Sequence, residues 1–162
     1  MRRGTARTTG LRGLAALAVV ALMATAAPAE TPFDGLLGAW SGTGQARFGD
    51  GSAESVRCQA YYTEGGVKLR LAIRCKSASN EIEIRGHLTQ SGSTVSGTWE
   101  ERTFNVAGAA KGQISSHRLT LNVVGGGFSG SMSVTLGGTR QTVTISTQGI
   151  SLRSVNVVLA KG

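Results

Sequence analysis

The sequence predicts an all-β protein: a single antiparallel up-and-down (meander) β-barrel of about 8–10 strands. Three observations predict it. From Trp40 onward the side chains alternate apolar and polar with a period of two. Turn residues recur roughly every 8–12 positions. No stretch past position 38 sustains a helical period.

The chain has 162 residues, with 40% apolar and 16% charged. That suits one folded domain and argues against wholesale disorder. With 24 glycines but only 2 prolines, collagen and proline-rich linkers are excluded.

Residues 1–29 read as a secretory signal peptide. Arg2, Arg3, Arg7 and Arg12 form a basic start, and an apolar segment runs from Leu14 to Met23. Ala27-Pro28-Ala29 supplies small residues for cleavage before Glu30. The apolar segment is shorter than the roughly 20 residues a membrane helix needs. Residues 30–162 are then one domain, expected to be periplasmic or secreted. Removing the four arginines lowers the net charge from +8 to +4.

Ten strands follow, over 40–48, 54–63, 67–76, 81–90, 93–101, 104–114, 117–124, 128–136, 139–147 and 151–160. The connection at 101–104 is the least marked. Side chains fix some registers. A turn between Ala78 and Ser79 sets Lys76 opposite Glu81 and Arg74 opposite Glu83 on one face. It sets Cys75 opposite Ile82 and Ile73 opposite Ile84 on the other. The Gly137-Gly138 hairpin sets Met132 against Val143 and Gly130 against Ile145. The polar face carries Arg57, Lys68, Arg70, Arg74, Lys76, Glu81, Glu83 and Arg85, and the apolar face lacks aromatic girdles. This is the polarity of a soluble barrel and not of a membrane-spanning one.

Cys58 and Cys75 share the apolar register of neighbouring strands. A four-residue loop at Gly65 to Lys68 puts them opposite each other, whereas a tighter Gly65-Gly66 turn would leave them diagonal. In an oxidising compartment the first arrangement gives a disulfide that stabilises the fold by about 3 kcal/mol.

Few residues suit catalysis, so an enzyme is not expected. The histidines are His87 and His117, each on an outward or turn position, and the aspartates are Asp34 and Asp50. These do not form a Ser/His/Asp arrangement or a metal-ligand cluster. Glu100 and Glu101 could touch calcium, but Glu100 and Glu83 read more simply as outer-face residues on adjacent strands. Gly125 to Gly130 matches Gly-x-Gly-x-x-Gly, but an alternating strand follows instead of the helix that phosphate binding requires. No cofactor and no metal is expected. Arg57, Arg70, Arg74 and Lys76 make a basic cluster that Glu81 and Glu83 offset, which disfavours nucleic acid as a partner.

The interior is more informative. Gly42, Gly44, Gly86, Gly97, Gly108, Gly112 and Gly130 all face inward, and large inward residues are few: Trp40, Phe48, Tyr62, Trp99, Phe104, Phe128 and Met132. Either the glycines let the strands coil until the core fills, or the small residues enclose an apolar cavity. The last strand is ambiguous. A two-residue Gln148-Gly149 turn puts Val155, Val157 and Leu159 outside as an apolar stripe beside Arg140. A bulge turns them inward and takes Arg153 with them, where it could hold a ligand carboxylate.

Gly38-Ala39-Trp40 opens the first strand, preceded by Phe33, Leu36 and Leu37, which suit a short turn plugging one end of the barrel. This resembles the calycin arrangement of lipocalins, avidins and fatty-acid-binding proteins, in which a basic residue from the last strand packs on the tryptophan. Lys161 matches that role. The Trp-Ser-Gly-x-Gly opening and the pairs Arg57-Cys58 and Arg74-Cys75 also resemble small uncharacterised exported β-barrel proteins of Gram-negative bacteria. Calycin kinship implies binding and not catalysis. The expected function is a carrier of a small apolar ligand, with Trp40, Trp99 and Phe128 lining the site and Arg153 near it. The alternative is an envelope protein-binding module, such as a hydrolase inhibitor or assembly factor, with a filled core.

Overall fold

In the computed structural model, which describes residues 31–162, a short 3-10 turn (Asp34–Leu36) precedes ten antiparallel strands. The expected signal peptide at 1–29 and the cleavage before Glu30 lie outside the described residues. The strands are β1 (Gly38–Phe48), β2 (Ala53–Gly65), β3 (Lys68–Lys76), β4 (Glu81–Ser91) and β5 (Thr94–Glu101). They continue as β6 (Val106–Ile114), β7 (Arg118–Gly125), β8 (Phe128–Gly137), β9 (Arg140–Gln148) and β10 (Leu152–Lys161). Each strand pairs with its sequence neighbours, and β1 pairs with β10, so the meander closes into a barrel with no free edge.

The alternation in the sequence becomes the inside and outside of the wall. In β3, Leu69, Leu71 and Ile73 are buried while Lys68, Arg70 and Arg74 are exposed. Five glycines permit the tight coiling of this wall. A Cβ at Gly42, Gly44, Gly97, Gly108 or Gly112 would collide with a backbone carbonyl of the neighbouring strand.

Register follows the expected pattern in β2–β4. Cys58 faces Cys75, Lys76 faces Glu81, and Arg74 faces Glu83. The two cysteines form a disulfide. At the β8–β9 hairpin the expected register is displaced by two residues: Met132 pairs with Ile145 and Gly130 with Thr147. The cause is the turn, which centres on Gly138-Thr139, with Gly138 at a φ of 65° that a side chain disfavours. A two-residue slip keeps every side chain on its face, so the inward set is unchanged.

The strand expected from 104 begins at Val106. Glu101 is the reason. Its carboxylate accepts the backbone N–H of Thr103 (3.0 Å) and Phe104 (2.6 Å), holding 102–105 as a turn. Phe104 therefore leaves the wall and is 63% exposed.

The alternating loops define two ends. The turns after β2, β4, β6 and β8 share one end with the N-terminal 3-10 turn. Phe33 and Leu36 plug that end and are completely buried against Trp40, Tyr62, Leu69 and Leu159. The loops after β1, β3, β5, β7 and β9 form the other end.

Candidate functional site: an apolar cavity at one end of the barrel

A cavity of about 420 Å³ occupies the end opposite the plug and reaches the surface among its loops. Its size falls within the roughly 300–1,000 Å³ of small-molecule pockets. The wall residues that make it are short or branched, among them Ala46, Val56, Ile84, Ala110 and Val155. Small side chains at these inward positions leave the space that the plug fills at the other end. The core is thus neither wholly filled nor wholly hollow.

Trp99 and Phe128 both line the cavity, with ring centroids 5.4 Å apart at an interplanar angle of 63°. Such an edge-on pair fixes both rings. Trp99 is buried on β5, and its indole Nε1 has no hydrogen-bond partner. Among the described residues, the one ionisable group in the lining is Glu101, which is 8% exposed. Besides its bonds to Thr103 and Phe104, it accepts the backbone N–H of Glu83 at 3.0 Å. Its carboxylate is therefore committed to the wall and the loop. Thr147 is committed too, donating its hydroxyl to the carbonyl of Leu152 at 2.5 Å.

Two residues expected beside the ligand lie elsewhere. Trp40 is not in the lining. It belongs to the plugged end, where its Nε1 donates to the Leu36 carbonyl at 2.7 Å and Lys161 Nζ sits 5.4 Å from its ring centroid. The basic residue on the tryptophan is thus present as the calycin resemblance implied, and it makes Trp40 structural.

Arg153 is also outside. The loop after β9 has three residues, Gly149 to Ser151, which turns Val155, Val157 and Leu159 inward. No apolar stripe forms on the outer face of β10. Arg153 does not follow them in. The β1–β10 register shifts between Arg47 and Phe48, where Phe48 meets Leu152, so Arg153 is the extra residue of a bulge. It is exposed, and a Cβ on Gly49 would fall 3.0 Å from its Nε. Leu152 takes the inward place and lines the cavity.

Sequence reasoning missed Glu101, Leu152 and Ile150. Glu101 sits two residues after Trp99 in the same inward register, and that spacing was the signal. Ile150, in the loop after β9, is 39% exposed and joins Phe104 in an apolar rim at the mouth. The opposite part of the rim is polar. There Ser79 donates its hydroxyl to Glu54 Oε1 at 2.5 Å and its backbone N–H to Oε2 at 3.4 Å. Hydrogen bonds from Ser77 and Ser79 hold the Glu54 carboxyl below its ordinary range.

On the outer wall of β3 and β4, Arg70, Arg74, Lys76 and Arg85 are paired with carboxylates. Glu83 contacts Arg74 at 2.9 Å and Arg85 at 2.8 Å, and Glu64 contacts Arg70 at 3.0 Å. The hydrogen bond and charge of Arg74, followed by Arg85, lower the Glu83 pKa. His87 and His117 are both exposed and outside the cavity lining. Among the described residues, no helix is long and apolar enough to cross a membrane.

No protein-family model matches the chain, and no curated protein matches it. Solved structures do. Rv2717c from M. tuberculosis is similar with a TM-score of 0.69 at 14% identity, over 84% of this chain and 98% of that one. The S-type phycobiliprotein lyase CPES from Guillardia theta is similar with a TM-score of 0.54 at 11% identity, over 80% of this chain and 90% of that one. At these identities the likeness shows the fold alone, a ten-strand barrel of the calycin-like kind.

Proposed function

We propose that this protein is a non-catalytic exported barrel that binds a small apolar molecule in its open-ended cavity. The cavity of about 420 Å³, with its almost wholly apolar lining, carries this reading. Burying apolar surface there yields roughly 25 cal/mol per Å² removed from water. The non-catalytic part rests on the lining chemistry: Glu101, its one ionisable group, is engaged by three backbone N–H groups. Export to the periplasm or beyond rests on the signal-like residues 1–29 and the Cys58–Cys75 disulfide. The likeness to small exported proteins of Gram-negative bacteria fits the same picture. Pairing of Arg70, Arg74 and Lys76 with carboxylates offsets the basic cluster on β2 and β3, which disfavours nucleic acid as a partner.

Trp99 and Phe128 are the proposed ligand contacts. Trp40 and Arg153 are not, because both lie outside the cavity lining. A second reading has one observation in its favour. Phe104 and Ile150 expose apolar surface at the rim, which could seat a protein of the cell envelope.

Native mass spectrometry of purified protein, followed by organic extraction, tests the carrier. The expected result is a co-purifying apolar molecule, or quenching of Trp99 fluorescence by added hydrophobic dyes with Trp40 unaffected. Trp40→Phe should keep the quenching and Trp99→Phe should abolish it. If nothing co-purifies and no dye or fatty acid quenches, the carrier reading fails and the protein-binding reading replaces it.

A further inference from the structure

The cavity ends blind inside the barrel, and a contact between one glycine and one leucine governs its depth. We propose that it takes a single hydrocarbon chain, apolar end foremost, and that Gly86 sets the length limit through the Leu71 side chain lying on it. This rests on the carrier reading and adds the ligand's size and its direction of entry.

The first observation is the floor. On β3, β7, β9 and β10 the innermost lining residues are Leu71, Leu121, Ile145 and Val155. The next inward residues toward the plug are Leu69, Leu119, Val143 and Val157, all buried and outside the lining. Along β3 the lining runs from Leu71 to Ser77. That is roughly 20 Å of strand, or about 15 Å along the axis of a barrel of ordinary tilt, a depth for an extended chain of about a dozen carbons. Polar lining residues Ser77, Asn80 and Ser151 belong to the loops at the mouth, whereas Leu71, Leu88, Ala110 and Leu121 present hydrocarbon at depth. A polar end carried to that depth would lose its water and gain no partner there. The chain therefore enters with its apolar end first.

The second observation is Gly86. It lies in the lining, between Leu71 on β3 and Trp99 on β5. The wall glycines are fixed by the backbone of a neighbouring strand, but Gly86 is not. A Cβ there would meet the Leu71 side chain, with Cγ at 3.1 Å and Cδ1 and Cδ2 at 3.3 Å. Its φ is not positive, so the backbone admits a side chain. What the missing Cβ does is let Leu71 lie flat across β4. On its other side Leu71 faces Tyr62 of β2, which is only 2% exposed. A side chain at position 86 would lift Leu71 off the wall, and the open space beside it is the cavity. Gly86 is thus a positioning residue that acts through Leu71.

Displacement of a bound hydrophobic dye by straight-chain alkan-1-ols tests this. Affinity should rise about fourfold for each added CH₂ up to about twelve carbons and then level off. Gly86→Ala should bring the levelling point down by about two carbons and leave the shortest alcohols unaffected. Leu71→Ala, which lowers the floor without touching Gly86, should move it to longer chains. A merely structural effect of either change would weaken all the alcohols alike. If affinity climbs without a limit, or if Gly86→Ala leaves the limit in place or weakens every alcohol equally, the proposal is overturned while the carrier stands. If the dye and every alcohol fail to bind the unaltered protein, both fall.

Discussion

The two ends of this barrel are made from the same repeating strand pattern but differ in what fills them. At the plugged end Phe33, Leu36, Trp40 and Tyr62 are all at most 2% exposed, and their polar tips are occupied. Trp40 donates to Leu36, and the Tyr62 hydroxyl lies 3.2 Å from Gln141 Oε1. Burial pushes the Tyr62 pKa far above its ordinary value. At the open end the aromatics of the cavity lining are Phe48, Trp99, Phe104 and Phe128. Trp99 has an unpaired N–H, Phe48 and Phe128 are half-buried, and Phe104 is exposed. Stability therefore resides at the plug and binding capacity at the mouth. A closed wall tolerates the empty end because all strand pairs, including β1–β10, remain intact along it.

The largest expected contrast is between aromatic truncations. Trp40→Ala should cost about 3–5 kcal/mol in urea denaturation, since it opens a void beneath the plug that nothing can fill. Phe128→Ala should cost only about 1–2 kcal/mol, because the lost ring borders space that already exists. The same change should weaken ligand binding. Equal costs at the two positions would break the division between ends.

A matched pair of insertions sharpens the comparison at intermediate size. Ala60 is completely buried and outside the cavity lining, whereas Ala110 is buried and part of it. Ala60→Leu should destabilise by about 1–3 kcal/mol through overpacking. Ala110→Leu should be close to neutral in stability, because the added methyl groups enter open space. It should also lower the affinity for a hydrophobic dye. If Ala110→Leu destabilises as much as Ala60→Leu, the cavity is not available space in solution.

The barrel and the β3–β4 register were legible in the sequence because a period of two leaves one choice per strand, and opposite charges at Lys76/Glu81 and Arg74/Glu83 selected it, while at β2–β3 the four-residue loop was one of two arrangements left open. What escaped was set by single backbone conformations. The positive φ at Gly138 moved the β8–β9 turn by one position and the register by two. The bulge at Arg153 reversed that one side chain while leaving Val155 and Val157 inward. Neither has a periodic signature. Phe104 reads as an inward strand residue by alternation alone, and only the capture of its N–H by Glu101 takes it out to the rim. The site escaped further because Trp40 and Trp99 look alike in sequence. The plugging turn ahead of β1 was legible from Phe33, Leu36 and Leu37, but the hydrogen bond by which it occupies Trp40 belongs to three-dimensional packing.

The smallest expected effect concerns how the plug is fastened. Asp34 accepts the backbone N–H of Thr31 at 2.8 Å, and its other oxygen lies 3.4 Å from the Gly66 N–H in the β2–β3 turn. The Thr31 backbone bond, then its side chain, holds the Asp34 carboxyl below the usual carboxylate range. A lowered pKa in the folded state means that the carboxylate stabilises the fold above the unfolded value near 4, and that this is lost as pH falls through the folded value. Asp34→Asn should therefore lower the melting temperature slightly at pH 7. The gap between variant and unaltered protein should close on acidification, once Asp34 itself is protonated. Glu54 and Glu83 are lowered as well but sit at the mouth and on the outer wall, so the variant keeps their share of the acid sensitivity. Melting curves of both proteins between pH 7 and pH 2.5 measure the gap. A gap that stays constant across that range would mean that Asp34 fastens the plug by shape and not by charge.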